Sequence, residues 1–429
     1  MRKQLTYIIL GISLFLQAQE GDYFMSIKRY PFIQYNQNEI IFPSGVNSFT
    51  PLYEKLDSMM LYGNGKLNIV HFGGSHIQAD IYTHQIRERL QSLEYDMNGG
   101  RGLIFPYRVA KTNNPWNYKV RYMGDWSYDK NTKRERSGEL GLTGISVTTA
   151  SNYASITINP NPDSTSQYSF NQIRVFHSET NYQLTLSIGN AFYEGVYDSA
   201  GGYTAYQVEA SSEFKLNFQR ADTLNEDVTL YGIELLNDDH GIVYNSIGVN
   251  GAKLESYLSC DLLEQQLAVV KPDLIIFSIG TNDANVKHFN KEKFYTEYQA
   301  LIKRTLRAAP HAKILITVPN DAYYYKRYVN KNTIPMRNEI IKLAKNNNYA
   351  VWDFFDIMGG LNSSQLWYNY GIMKYDRIHF NRDGYLLKGD LFVTAFLRGW
   401  EEKLAARSQQ YFYKERLSEI YQPQIKRTE

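Results

Sequence analysis

Residues 272–280 read PDLIIFSIG, and the unbroken apolar run Leu274–Phe277 limits the folds open to this chain. A strand of that kind is buried on both faces, as strands inside a parallel sheet are. Parallel strands need crossovers, and helical patterns flank this one: KLESYLSCDLLEQQLAVV before it and KEKFYTEYQALIKRTLRAA after it. GIVYNSIG, AKILITVP and YAVWDFFDI read as further strands, and PMRNEIIKLAKNNN as a further helix. A last helical region starts near Asp383 and runs past Trp400. Residues 66–93 add an earlier strand, a Gly-Gly turn and a helix, HIQADIYTHQIRERLQ, with Ile77, Ile81, Ile86 and Leu90 near helical spacing. This alternation implies a doubly wound α/β domain.

From about residue 110 the texture changes. GISVTTA, ASITINP, NQIRVFH, YQLTLSI, YTAYQVE, FKLNFQ and VTLYGIELL are short, alternating and rich in β-branched and aromatic residues, with turn-formers between them. That is the pattern of an antiparallel β-sandwich, and it stops near Asn237. The expected division is therefore a signal peptide over 1–18, a first part of the α/β domain over 19–109, an inserted sandwich over 110–238, the second part over 239–400 and a helical tail over 401–429. The signal peptide is read from Arg2 and Lys3 followed by an apolar run, Leu5 to Leu16, too short to span a bilayer comfortably. In the tail, Leu404, Tyr413, Leu417 and Tyr421 read as a stripe that packs on the domain. Cys260 is the single cysteine, so no intrachain disulfide forms. An exported chain without disulfides fits a bacterial periplasm or secretion, with no stable membrane insertion after signal cleavage. A formal net charge of +2 gives no reason to expect nucleic acid as a partner.

In open α/β sheets, ligands bind beyond the carboxyl ends of the strands. The segments there are GGSH, SIGVNGAK, SIGTND, VPND and, after the last strand, a long loop ending in YDRIHF. Together they fit acyl transfer. Ser75 needs a base to become a nucleophile. His379 supplies it, with Asp376 three residues earlier to orient the ring and stabilise its charged form. The Ser75 N–H, the Gly251 N–H and the Asn282 amide suit an oxyanion hole. Taken singly, each has an ordinary structural reading. A serine at a helix start is usually a cap, VNGA an ordinary turn, Asn282 the cap of the next helix, and Asp376 with His379 a loop ion pair. Their gathering at one end of successive strands is the more specific signal.

Four blocks, FGGSH, VNGA, GTND and DRIHF, resemble those of SGNH, or GDSL-type, hydrolases. The resemblance implies a flavodoxin-like doubly wound domain, with Ser75 as nucleophile, His379 as base, Asp376 as its partner, and Ser75, Gly251 and Asn282 as oxyanion donors. HIQAD, the helix after it and GGRGLIFPYR before the insertion look like exported bacterial SGNH esterases related to peptidoglycan O-acetylesterases, in which a carbohydrate-module-like sandwich interrupts the hydrolase. What this resemblance implies is removal of O-acetyl groups from an acetylated glycan, peptidoglycan or another polysaccharide, without a cofactor. An O-acetyltransferase with the same triad, or a glycan-binding protein with weak catalysis, are the alternatives. The family usually carries aspartate where this chain has Gly74.

His71, His76, His84 and Asp80 lack zinc-helix spacing, since His76 and His84 lie eight apart, and no metal is expected. Trp116, Trp126 and the insertion's tyrosines suit either sugar stacking or a sandwich core.

Overall fold

The computed structural model describes residues 29–420 except 95–96, 161–167, 210–212 and 222–225, with the side chains of the last helix described as far as residue 405. The expected signal peptide and Tyr421 lie outside the described residues, as do the side chains of Tyr413 and Leu417 in the expected tail stripe. No described helix is long and apolar enough to cross a membrane.

Five strands, Lys66–Gly73, Gly241–Gly248, Leu274–Ser278, Lys313–Thr317 and Ala350–Trp352, form one sheet. All four pairings are parallel. In chain order their arrangement across the sheet is second, first, third, fourth, fifth. This is the flavodoxin-like order, whose switch point lies between the first and third strands. Alternate residues face opposite layers, as the period of a strand dictates. Val70, Phe72, Ile275 and Phe277 join one core. Leu67, Ile69, Leu274 and Ile276 join the other, with residues of helices Thr50–Tyr62, Tyr82–Gln91 and Arg382–Ile420.

The β-rich insertion is two antiparallel sheets. All seven segments read from the sequence are strands: 145–149, 153–159, 172–177, 182–188, 203–207, 214–220 and 228–236. The short strand Gly102–Ile104 also pairs with Val228–Leu236, and its Leu103 N–H donates to Asn245 Oδ1 at 2.7 Å. Ile145, Ile156, Phe214 and Ile233 belong to the same core as Val70 and Phe72, so the insertion and one face of the parallel sheet share apolar packing.

Three elements differ from expectation. The helix read over 76–91 is two, Ser75–Gln78 and Tyr82–Gln91. Asp80 between them has φ +46°, held there because Arg87, Arg101, Asn117 and Ser246 all converge on its carboxylate. The helix read over 253–270 breaks into Leu254–Leu258 and Leu263–Val270. There Leu262 N donates to Leu140 O at 3.0 Å, and Arg304 takes the carbonyls of Leu258 and Cys260 at 2.8 and 2.7 Å. The last strand ends at Trp352 because Asp353 caps a helical turn, Phe354–Ile357.

Candidate active site

Ser75 stands where the first strand ends. The residue at the helix cap is Gly74, and no side-chain cap bond is formed there. The Ser75 hydroxyl instead lies 2.8 Å from His379 Nε2. Residues 304 apart in sequence meet because the first strand and the loop after the last one end on the same edge of the sheet.

Asp376 explains the Asp-x-x-His spacing. Its Oδ1 accepts the N–H groups of Ile378 and His379, both at 2.9 Å. This Asx-type turn folds the chain back on itself, so that Oδ2 faces His379 Nδ1 at 2.8 Å. Burial alone would raise the Asp376 carboxyl. The hydrogen bonds from the His379 ring and from the two backbone N–H groups outweigh it and hold the group well below the usual carboxylate range. Lys374 N donates to His379 O at 2.8 Å and Asn320 Nδ2 to Ile378 O at 3.3 Å, which fixes the loop from both sides.

Opposite Ser75 lies the turn after the second strand. Gly251 has φ +84°, a conformation glycine adopts without strain. Its N–H has no acceptor among the described residues. Asn282, in the short helix Thr281–Ala284, donates through Nδ2 to Ala252 O at 3.0 Å. That bond orients the carboxamide, whose second hydrogen remains for a ligand. Ser75, Gly251, Asn282 and His379 all line one cavity of about 580 Å³, large enough for a sugar and its substituent.

Four further residues were not singled out from sequence. Gln78 Oε1 accepts the Asn250 N–H at 2.7 Å, while its amide donates to Asn113 O at 2.9 Å, so it pins the Gly251 turn. Tyr257 OH donates to Gly73 O at 2.7 Å and Tyr107 OH to Gly248 O at 2.8 Å, fixing two strand ends. Asn320, in VPND, secures the histidine loop. A spacing signal is absent for all four, because their partners are distant in sequence.

The other three histidines weighed from the sequence, His71, His76 and His84, are committed elsewhere. His71 bonds Tyr244 OH at 2.7 Å and Ser278 Oγ at 2.5 Å. His84 sits within 3.2 Å of Asn117 and 3.1 Å of Tyr168. His76 bonds Tyr385 OH at 2.9 Å, and its ring lies 5.2 Å from that of His379. Burial first, then the neighbouring His379 and Lys388, push His76 well below the ordinary imidazole range, so it stays neutral beside His379. Of the two tryptophans considered for sugar stacking, Trp126 is partly buried and packs edge-on against Phe218 of the sandwich core, and Trp116 carries Arg382 on its face.

Residues 221–387 match the GDSL-like Lipase/Acylhydrolase family. That span holds Gly251, Asn282, Asp376 and His379; Ser75 comes from before the insertion. No curated protein sequence matches the chain. Among solved structures, the chain is similar to a peptidoglycan O-acetylesterase, 22% identical, over 85% of this chain and 99% of that one, with a TM-score of 0.70. It also matches the acetyl xylan esterase AlAXEase, 23% identical over 37% of this chain and 82% of that one, TM-score 0.30. A family two carbohydrate esterase from Cellvibrio japonicus is 13% identical over 67% of this chain and 99% of that one, TM-score 0.27. The first of these shares its fold with most of this chain.

Proposed function

We propose that this chain, which carries a GDSL-like lipase/acylhydrolase domain over residues 221–387, is an exported serine esterase that removes O-acetyl groups from a glycan. The observation that carries the reading is the continuous relay Ser75–His379–Asp376, each step 2.8 Å, opening into a cavity with hydrogen-bond donors on its far wall. His379 Nε2 takes the Ser75 proton as Oγ attacks the acetyl carbon. The oxyanion forms among the Ser75 N–H, the Gly251 N–H and the Asn282 amide. The protonated His379 then gives its proton to the sugar oxygen, which leaves. Water, activated by the same imidazole, releases acetate from Ser75. Asp376 keeps the proton on Nδ1, so Nε2 is free to accept. No step calls for a cofactor.

A glycan substrate, peptidoglycan or another polysaccharide, is supported by the fold shared with the peptidoglycan O-acetylesterase. We take residues 110–238 as the inserted unit. The test is acetate release from a panel of acetylated glycans by wild type and Ser75→Ala, with and without a sugar acceptor. Release by wild type alone supports the esterase. Acetyl transfer to the acceptor in place of release would make the protein a transferase. No acetate from any member of the panel would sink the reading.

A further inference from the structure

The charges around the cavity are one-sided. Apart from His76 and His379, the ionisable groups lining it with resident charge are Lys374 and Arg382, and no carboxylate lines it. Asp376 stands behind His379 and is occupied by three N–H donors. Lys374 is exposed, with its backbone fixed by the bond to His379 O. Arg382 is exposed too, with its guanidinium 4.0 Å from the Trp116 ring centroid. The contact with the ring holds the guanidinium in place. Neither cation forms an ion pair with a described residue. Other arginines nearby are committed: Arg87 and Arg101 to Asp80, and Arg377 against the rings of Tyr323, Tyr368 and Tyr375.

Two cations that line the cleft without an ion pair among the described residues, and with no carboxylate beside them, concentrate anions there. The geometry points to a substrate that is acidic: an O-acetylated glycan bearing a carboxylate close enough to the ester for Lys374 and Arg382 to bind it while the acetyl group enters the cavity. This rests on the esterase reading and adds the class of glycan to it.

The experiment compares one acetylated acidic polysaccharide with the same preparation after its carboxylates are converted to amides, and runs p-nitrophenyl acetate alongside. Wild type should favour the acidic polymer in kcat/KM by about 10-fold at low ionic strength, and much of that preference should vanish in 0.5 M salt, taken as roughly a 4 Å screening length. Lys374→Ala and Arg382→Ala should each cut the preference by about 3-fold, and Lys374→Arg should keep it. Calorimetric binding of both polymers to the Ser75→Ala protein gives the same comparison without turnover. Equal turnover or binding of the two polymers, no binding of either, or a preference that survives in the double alanine variant overturns the inference. Absence of p-nitrophenyl acetate hydrolysis by wild type would instead count against the esterase reading.

Discussion

Replacing Asp376 by asparagine changes one atom and two hydrogens, and the structure sets what this should cost. The carboxylate makes three contacts: Oδ1 with two backbone N–H groups at 2.9 Å, and Oδ2 with His379 Nδ1 at 2.8 Å. An asparagine has one oxygen for both sides. With that oxygen on the backbone side, its NH2 faces Nδ1, which must then accept. The ring proton moves to Nε2, 2.8 Å from Ser75 Oγ, and the base can no longer take a proton. With the amide flipped, the correct tautomer survives, but two backbone bonds are lost, each worth about 0.5–1.5 kcal/mol. The wrong tautomer is thus favoured by about 1–3 kcal/mol, or roughly 5- to 150-fold. The charge that stabilises the imidazolium is lost in either case. Together these should lower kcat by about 10³–10⁴-fold. The assay is steady-state acetate release, with thermal melting to show that the fold is intact. A folded Asp376→Asn protein retaining more than about a tenth of wild-type kcat would refute the tautomer argument.

Ser75→Ala should nearly abolish ester hydrolysis and move stability by no more than about 0.5 kcal/mol, because Ser75 makes no cap bond; a loss near the ~1 kcal/mol of a removed cap with activity intact would mean that the serine is structural. Gly74→Asp introduces a Cβ 3.2 Å from Asn282 Nδ2. The amide must shift by a few tenths of an ångström, which should cost about 10-fold in kcat, less than the roughly 10²–10³-fold expected for removing that donor by Asn282→Ala. Unchanged turnover would show that the oxyanion site does not depend on this contact. Asp80→Asn should destabilise by about 3–5 kcal/mol in urea unfolding at pH 7, since two buried guanidiniums lose their counter-charge. Burial would raise the Asp80 carboxyl, but Arg87 and Arg101 hold it far below its ordinary value. Its stabilisation is therefore complete above an unfolded pKa of roughly 3.9 and is lost as pH falls through the folded one, so the gap between wild type and variant should close only in strong acid.

What could be read from the sequence was what local pattern encodes. Buried parallel strands declare themselves as apolar runs, and Leu274–Phe277 and Gly241–Gly248 lie where their patterns put them. The sandwich strands alternate, so seven of them were legible. Those missed, Lys119–Met123, Ser127–Lys130 and the pair at 191–198, are short and mostly exposed, with no strong alternation to read. The residues of the relay were visible because each stands in a compact block at a strand end. Gln78 and Asn320 were not, because a single amide bonding to a backbone group more than fifty residues away leaves no periodic trace. The breaks at Asp80 and at 259–262 were hidden for the same reason: helical periodicity runs through both, and the forces that interrupt it come from Arg101, Asn117, Leu140 and Arg304.

The interruption at Asp80 has a consequence for the site. Within six residues the chain must aim Ser75 at His379, Gln78 at the Gly251 turn and Asp80 at the buried arginines. A continuous helix would keep Asp80 on the same axis as Ser75 and Gln78, with its direction fixed by the turn of about 100° per residue. The left-handed residue ends that course after one turn. Asp80 is then free to face Arg87 from the following helix, Arg101 from the loop beyond it and Asn117 at the edge of the insertion. The cluster anchors the short helix from below, and Gln78 joins it to Asn113 on one side and Asn250 on the other. The serine loop, the Gly251 turn and the start of the insertion are thereby held as one piece. This explains how the β-rich insertion can follow the first strand while the hydroxyl of Ser75 stays 2.8 Å from His379 Nε2.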